Sequence, residues 1–237
     1  NALEVNGFME NTMIVYTSDH GEQVGEHGLW WKQTFYENAS RVPAIISWPG
    51  HLPGGQVLDN VINQFDLIAT MLDASGSPKL PRSNGRSLLK LLKDPRNTDW
   101  ENLAFSEYCM DDADYFSTSS NLGGLDIHAM SGGVQNRMIR YNEYKLNYYN
   151  GFEPQLFNLK EDPDELNDLA KDKSHENIRK DLTNKVLENW DPNEIAEKMR
   201  VLRRETEIKK DWGTKIDPDD SLRWDLDPLK DSTRLDN

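Results

Sequence analysis

The sequence predicts an α/β fold: a mixed sheet with flanking helices, followed by a small antiparallel-sheet and helix subdomain. Three observations carry this. The runs TMIVYT (residues 12–17) and VPAIISW (residues 42–48) are apolar, β-branched and aromatic, the pattern of buried strands. Residues 61–74 place Ile62, Phe65, Ile68, Ala69 and Leu72 at helical spacing. Beyond Pro95, short β-rich runs follow one another closely and then give way to helical segments, as in an α+β unit.

The elements follow in order. Gly7 and Asn11 punctuate the chain before the first strand. Pro49-Gly50 and Pro53-Gly54-Gly55 close the second strand with turn signals. Gly76 and Pro78 end the helix, and SLLKLL (87–92) forms a shorter one that stops before Pro95. NLAFSEY (102–108) reads as a strand, and residues 111–133, rich in Asp, Ser and Gly, as a long loop. RMIRYNEYKLNYY (137–149) splits at Asn142-Glu143 into a hairpin, and QLFNL (155–159) adds a strand. Helices are expected over 174–190 and 193–210, the second amphipathic and packed on its own subdomain, with an extended acidic tail from Trp212. The expected division is 1–100, 101–190 and 191–237.

Composition narrows the partners. The 237 residues carry a formal net charge of −14, which disfavours nucleic acid and anionic membranes, because phosphate binding relies on clustered Lys and Arg. No apolar run approaches the roughly 20 residues that cross a bilayer. A cation is the easier partner. Cys109 is the single cysteine, so no intrachain disulfide forms. Cytoplasmic and periplasmic or secreted locations both stay open.

The chemistry concentrates in TSDHGEQVGEHGLWWK (17–32), which leaves the C-terminal end of the first strand, where open α/β sheets place ligands. Asp19 offers a hard oxygen and His20 a neutral imidazole nitrogen. Gly21 lets the backbone curl so that both reach one cation. Calcium takes six to eight ligands, so others must come from elsewhere. The competing reading has Asp19 capping a turn and His20 packing. Lys32 can bind and polarise an anionic substrate, or be a solvated lysine. His27 either donates a hydrogen bond near the site or is structural. Trp30 and Trp31 can form a sugar-binding wall or packing.

TSDHG followed by GEHGLWWK resembles the metal and substrate segment of the sulfatases, within the alkaline phosphatase superfamily. The resemblance continues through FYENASRVPAIISWPG (35–50), DLIATMLD (66–73, with Ala69 where proline is common), GRSL (85–88), FSEY (105–108), the 137–159 hairpin and strand, and DPDE (162–165). It covers about residues 3–190 and implies an alkaline-phosphatase-like sheet of which this chain is the C-terminal part. It also implies that Asp19 and His20 ligate calcium or another divalent cation and that Lys32 contacts the sulfate; with His27 as a hydrogen-bond donor near the site, Lys32 and His27 are the expected catalytic residues. Many sulfatases have asparagine at the position of His20. Histidine there resembles the branch with choline sulfatases, iduronate-type sulfatases and phosphonate monoester hydrolases.

The family nucleophile is a formylglycine made in a Cys/Ser-x-Pro/Ala-x-Arg motif. No such motif occurs here, and Cys109, in EYCMD (107–111), lacks the Pro and Arg and reads as a partly buried thiol. The chain is therefore expected to be a C-terminal portion, inactive alone, with a small-molecule or saccharide sulfate ester as the whole protein's substrate. Self-association through an exposed sheet edge or the tail is expected. Two other readings stand beside this: a phosphonate monoester hydrolase or phosphodiesterase of the same superfamily, and a non-catalytic interaction module.

Overall fold

The computed structural model describes residues 2–96, 99–109 and 135–216. The loop expected over 111–133 lies outside them, as does the tail from residue 217. A short helix α1 (Ala2–Val5) leads into strand β1 (Ile14–Thr17), which pairs antiparallel with β4 (Ala44–Ser47) in the register Val15 to Ile46. The run of β1 reads as a buried strand, but an exposed edge along both strands was also expected of this chain, and both are largely exposed: Tyr16 is 61% and Ile45 59% accessible. The physical reason is that β1 and β4 form a two-stranded ladder, and no third strand joins it among the described residues. Between them, β2 (Gln23–Val24) and β3 (Trp30–Trp31) make a minimal hairpin, and α2 (Glu37–Ser40) is a single helical turn.

Helix α3 (Gln64–Ala74) begins where its sequence provides a capping box. The Asn63 side chain accepts from the Phe65 amide, and Asp66 Oδ2 accepts from the Asn63 amide at 2.8 Å. Asp66 is buried, and its other oxygen accepts from the Arg86 amide at 2.8 Å, tying the helix start to the GRSL turn. Leu67, Leu88 and Leu91 form a small core between α3 and α4 (Leu89–Lys93).

The second sheet runs β5 (Leu103–Cys109), β6 (Gln135–Tyr141), β7 (Tyr144–Tyr149) and β8 (Gln155–Asn158), all antiparallel. The hairpin turn falls at Asn142-Glu143 as expected, with Asn142 in the left-handed region (φ 50°) that asparagine tolerates. Register sets its core. Phe105, Ile139, Leu146 and Leu156 lie opposite one another across the four strands. Helix α5 (Glu176–Leu187) covers that row with Leu182 and Val186, one turn apart, and both fully buried. The other face carries Lys145 and Phe157, and it meets the segment around α2: Phe157 packs on Tyr36 at 6.1 Å between ring centroids.

Helix α6 (Pro192–Ile216) corrects one expectation. It continues through Trp212 to Ile216, where an extended tail was expected. It meets β5 and β6 of its own subdomain as expected, but it buries no residue, and Leu202, Ile208 and Trp212 farther along are exposed. Strong helix formers and i,i+4 pairs such as Arg203–Glu207 support it without burial. Among the described residues no helix is long and apolar enough to cross a membrane.

Candidate functional site

The loop of residues 18–21 leaves the end of β1 and is held from two sides. From α3, the Gln64 amide donates to the carbonyls of Ser18 at 2.6 Å and Asp19 at 3.0 Å. From α2, the Ala39 carbonyl accepts the Gly21 amide at 2.8 Å. Glycine is required at 21 by space, because a Cβ there would stand 1.9 Å from the Asn38 carbonyl oxygen.

These restraints bring three of the expected residues together. Lys32 Nζ lies 2.6 Å from His20 Nε2, and Asp19 Oδ2 lies 3.3 Å from the same nitrogen. A lysine ammonium only donates, so His20 Nε2 is the acceptor. The proton then belongs on Nδ1, which donates to the Gly21 carbonyl at 2.7 Å. The His20 Nε2 lone pair thus faces the Lys32 ammonium, and Asp19 Oδ2 lies beside the same nitrogen.

The donor set fits a divalent cation in part. Two donors 3.3 Å apart, each about 2.4 Å from a calcium ion, subtend about 90° at it, an ordinary angle between neighbouring ligands. Among the described residues no group of three His, Cys, Asp or Glu side chains could hold a metal ion, so these two do not complete a coordination sphere.

Asp19 stays available as an anion. Desolvation pushes its pKa up, but the His20 amide, the His20 ring and the Ser18 hydroxyl outweigh it and hold the carboxyl below the ordinary range. The His20 amide donates to Asp19 Oδ1 at 3.0 Å, so the alternative reading of Asp19 as a turn-former describes one oxygen and leaves the other free to bind.

His27 is placed differently. Its ring stacks on Tyr36 at 3.8 Å, nearly parallel, and makes no hydrogen bond to Asp19, His20 or Lys32. The contact closes the β2–β3 hairpin onto the segment that carries α2. Trp30 and Trp31 are both exposed beside Lys32, and Trp31 sits at φ 72°, a conformation that bulky side chains rarely adopt. Cys109 is partly buried, and desolvation followed by the neighbouring Glu107 raises its thiol to about 11, an inert value.

Sequence reasoning missed Gln64, Glu37, Lys145 and Glu165. Lys145 is fully buried, 3.1 Å from Glu37 Oε1 and 2.9 Å from Glu165 Oε1. The only signal was a lysine at an inward position of an apolar hairpin strand.

Residues 1–77 match the family model described as Sulfatase. The chain is 32% identical to arylsulfatase K of Canis lupus familiaris over 71% of its own length and 30% of that protein. It resembles a solved protein in complex with its substrate D-glucosamine-2-N,6-O-disulfate at TM-score 0.64 and 28% identity, over 79% of this chain and 35% of that one. It also resembles phosphonate monoester hydrolase of Agrobacterium radiobacter at TM-score 0.65 and 26% identity, over 79% and 36%.

Proposed function

Because residues 1–77 match the Sulfatase family model and the chain spans about a third of the sulfatases it resembles, we propose that it is part of a sulfatase and that residues 17–32 form one wall of a divalent-cation site that binds the sulfate group of a sulfate ester. The carrying observation is that His20 Nε2 faces the Lys32 ammonium at 2.6 Å while Asp19 Oδ2 lies 3.3 Å from the same nitrogen. Asp19 and His20 hold the cation, calcium being the expected one. When bound, the cation neutralises charge on the sulfate oxygens and polarises the ester. Lys32 then turns from His20 to the substrate, where its charge binds the anionic group. His27 fixes the hairpin that presents Lys32. The formylglycine nucleophile and the remaining ligands come from sequence outside these 237 residues, and the chain alone is inactive.

A sulfated saccharide is the favoured substrate. The relative solved with D-glucosamine-2-N,6-O-disulfate supports it, and the exposed Trp30 and Trp31 offer apolar surface for a sugar ring. The likeness to a phosphonate monoester hydrolase favours a second reading, since both substrates are tetrahedral oxyanions. An assay of the chain with an aryl sulfate, a phosphonate monoester and calcium is expected to show no turnover above a His20→Ala control. Turnover that His20→Ala removes would place the nucleophile within these residues and contradict the proposal.

A further inference from the structure

Helix α2 is one turn long, too short to hold itself, yet it supplies the Ala39 carbonyl that fixes Gly21. What holds α2 comes from more than a hundred residues away. Glu165 Oε2 accepts the Glu37 amide at 2.6 Å, satisfying an N–H of the helix's first turn that has no helical partner. Lys145, on β7, neutralises that carboxylate through Oε1 and bridges to Glu37 and to Ser40 Oγ, 3.4 Å away. Glu165 is aimed there by a built turn. Asp162 accepts the amides of Leu166 and Asn167, and Glu165 sits at φ 55°, which few residues without a glycine's freedom adopt.

A continuous set of contacts therefore runs from the second sheet to the candidate ligand. Lys145 and Glu165 hold α2, the Ala39 carbonyl holds the Gly21 amide, and the Gly21 carbonyl holds His20 Nδ1–H. We propose that Lys145 and Glu165 are positioning residues that fix the tautomer and direction of the His20 ring. Orienting groups behind a ligating histidine act in this way, by setting which nitrogen carries the proton. The pair touches neither substrate nor cation. Its consequence for cation binding rests on the reading of His20 given above; its effect on the ring does not.

The test reads the His20 Nδ1–H resonance by NMR in the 237-residue chain, at mildly alkaline pH and without divalent cation. Each variant carries Lys32→Ala, which removes the other hydrogen bond on the ring. Glu165→Ala is expected to lose the resonance as the ring is released. Leu182→Ala, which opens the core beneath α5 on the opposite face of the sheet, is the control for general loosening and is expected to keep it. If Glu165→Ala does not fold, Glu165→Gln decides. It retains an acceptor for the Glu37 amide but loses the ion pair, and a weakened resonance is expected. An unchanged resonance in the Glu165 variant, or equal loss in Leu182→Ala, overturns the proposal. Failure of the wild-type chain to bind any cation would sink the cation reading and leave this result standing.

Discussion

Replacing Lys145 by methionine is expected to destabilise the chain by about 3–5 kcal/mol, measured by chemical denaturation at neutral pH. Lys145 is fully buried, and its removal leaves the Glu165 carboxylate buried with no counter-charge. The intact pair itself adds little, because desolvating two ions offsets most of their attraction; the cost arises from breaking one half. The double replacement Lys145→Met with Glu165→Gln should recover much of the loss. The effect also depends on pH, with a defined sign. Desolvation already raises the Glu165 pKa, against the pull of Lys145 and the Glu37 amide. A carboxyl whose folded pKa lies above its unfolded value adds stability at low pH, and that stability is lost as pH rises through the folded pKa. Without Lys145 the folded pKa rises further. Lys145→Met should therefore lose stability more steeply than wild type as pH climbs above the ordinary carboxyl range. Equal pH slopes would contradict this account.

Gly21→Ala is expected to cost about 1–3 kcal/mol and to weaken cation binding about 10–100-fold. The added Cβ would meet the Asn38 carbonyl oxygen at 1.9 Å and its carbon at 2.9 Å. Both are backbone atoms, so no side chain can rotate aside. Either α2 or the 18–21 loop must move, and α2 is fixed by Lys145 and Glu165. The loop yields, and the hydrogen bonds from Gly21 to Ala39 and from His20 to Gly21 are lost together. Gly54→Ala is the control, with nothing within 4 Å of its Cβ. A calorimetric titration in which Gly21→Ala and Gly54→Ala behave alike would remove the steric argument.

Local chemistry was legible in the sequence wherever the cause was local. Asn142 marked its turn, the alternation of 137–149 its hairpin, and the spacing of Ile68 and Leu72 its helix, because each depends on neighbours in the chain. Asp19, His20 and Lys32 could be named as one group because thirteen residues and a hairpin bring them together. The supports of the site were not legible. Glu165 and Glu37 are 128 positions apart, and Gln64 reaches Ser18 across 46. No propensity or period encodes such pairings. The apolar runs of β1 and β4 marked their strands, but which layer covers an apolar strand is a tertiary matter that no local pattern encodes. The helical course of Trp212–Ile216 was misread because the Asp- and Pro-rich sequence from Trp212 weighed toward an extended tail, while the preceding helix propagates as far as Ile216.

On the proposed reading, Asp19 and His20 present a cation-binding pair, and Lys32 competes for the His20 lone pair. Calcium titration of the chain, read at the His20 Nε2 resonance, tests it most directly. This resonance is expected to move with calcium in the wild type, and in Lys32→Ala to move at lower calcium concentration, since the ammonium no longer occupies the lone pair. A resonance that stays fixed in both, at calcium concentrations that saturate any other site, would contradict it.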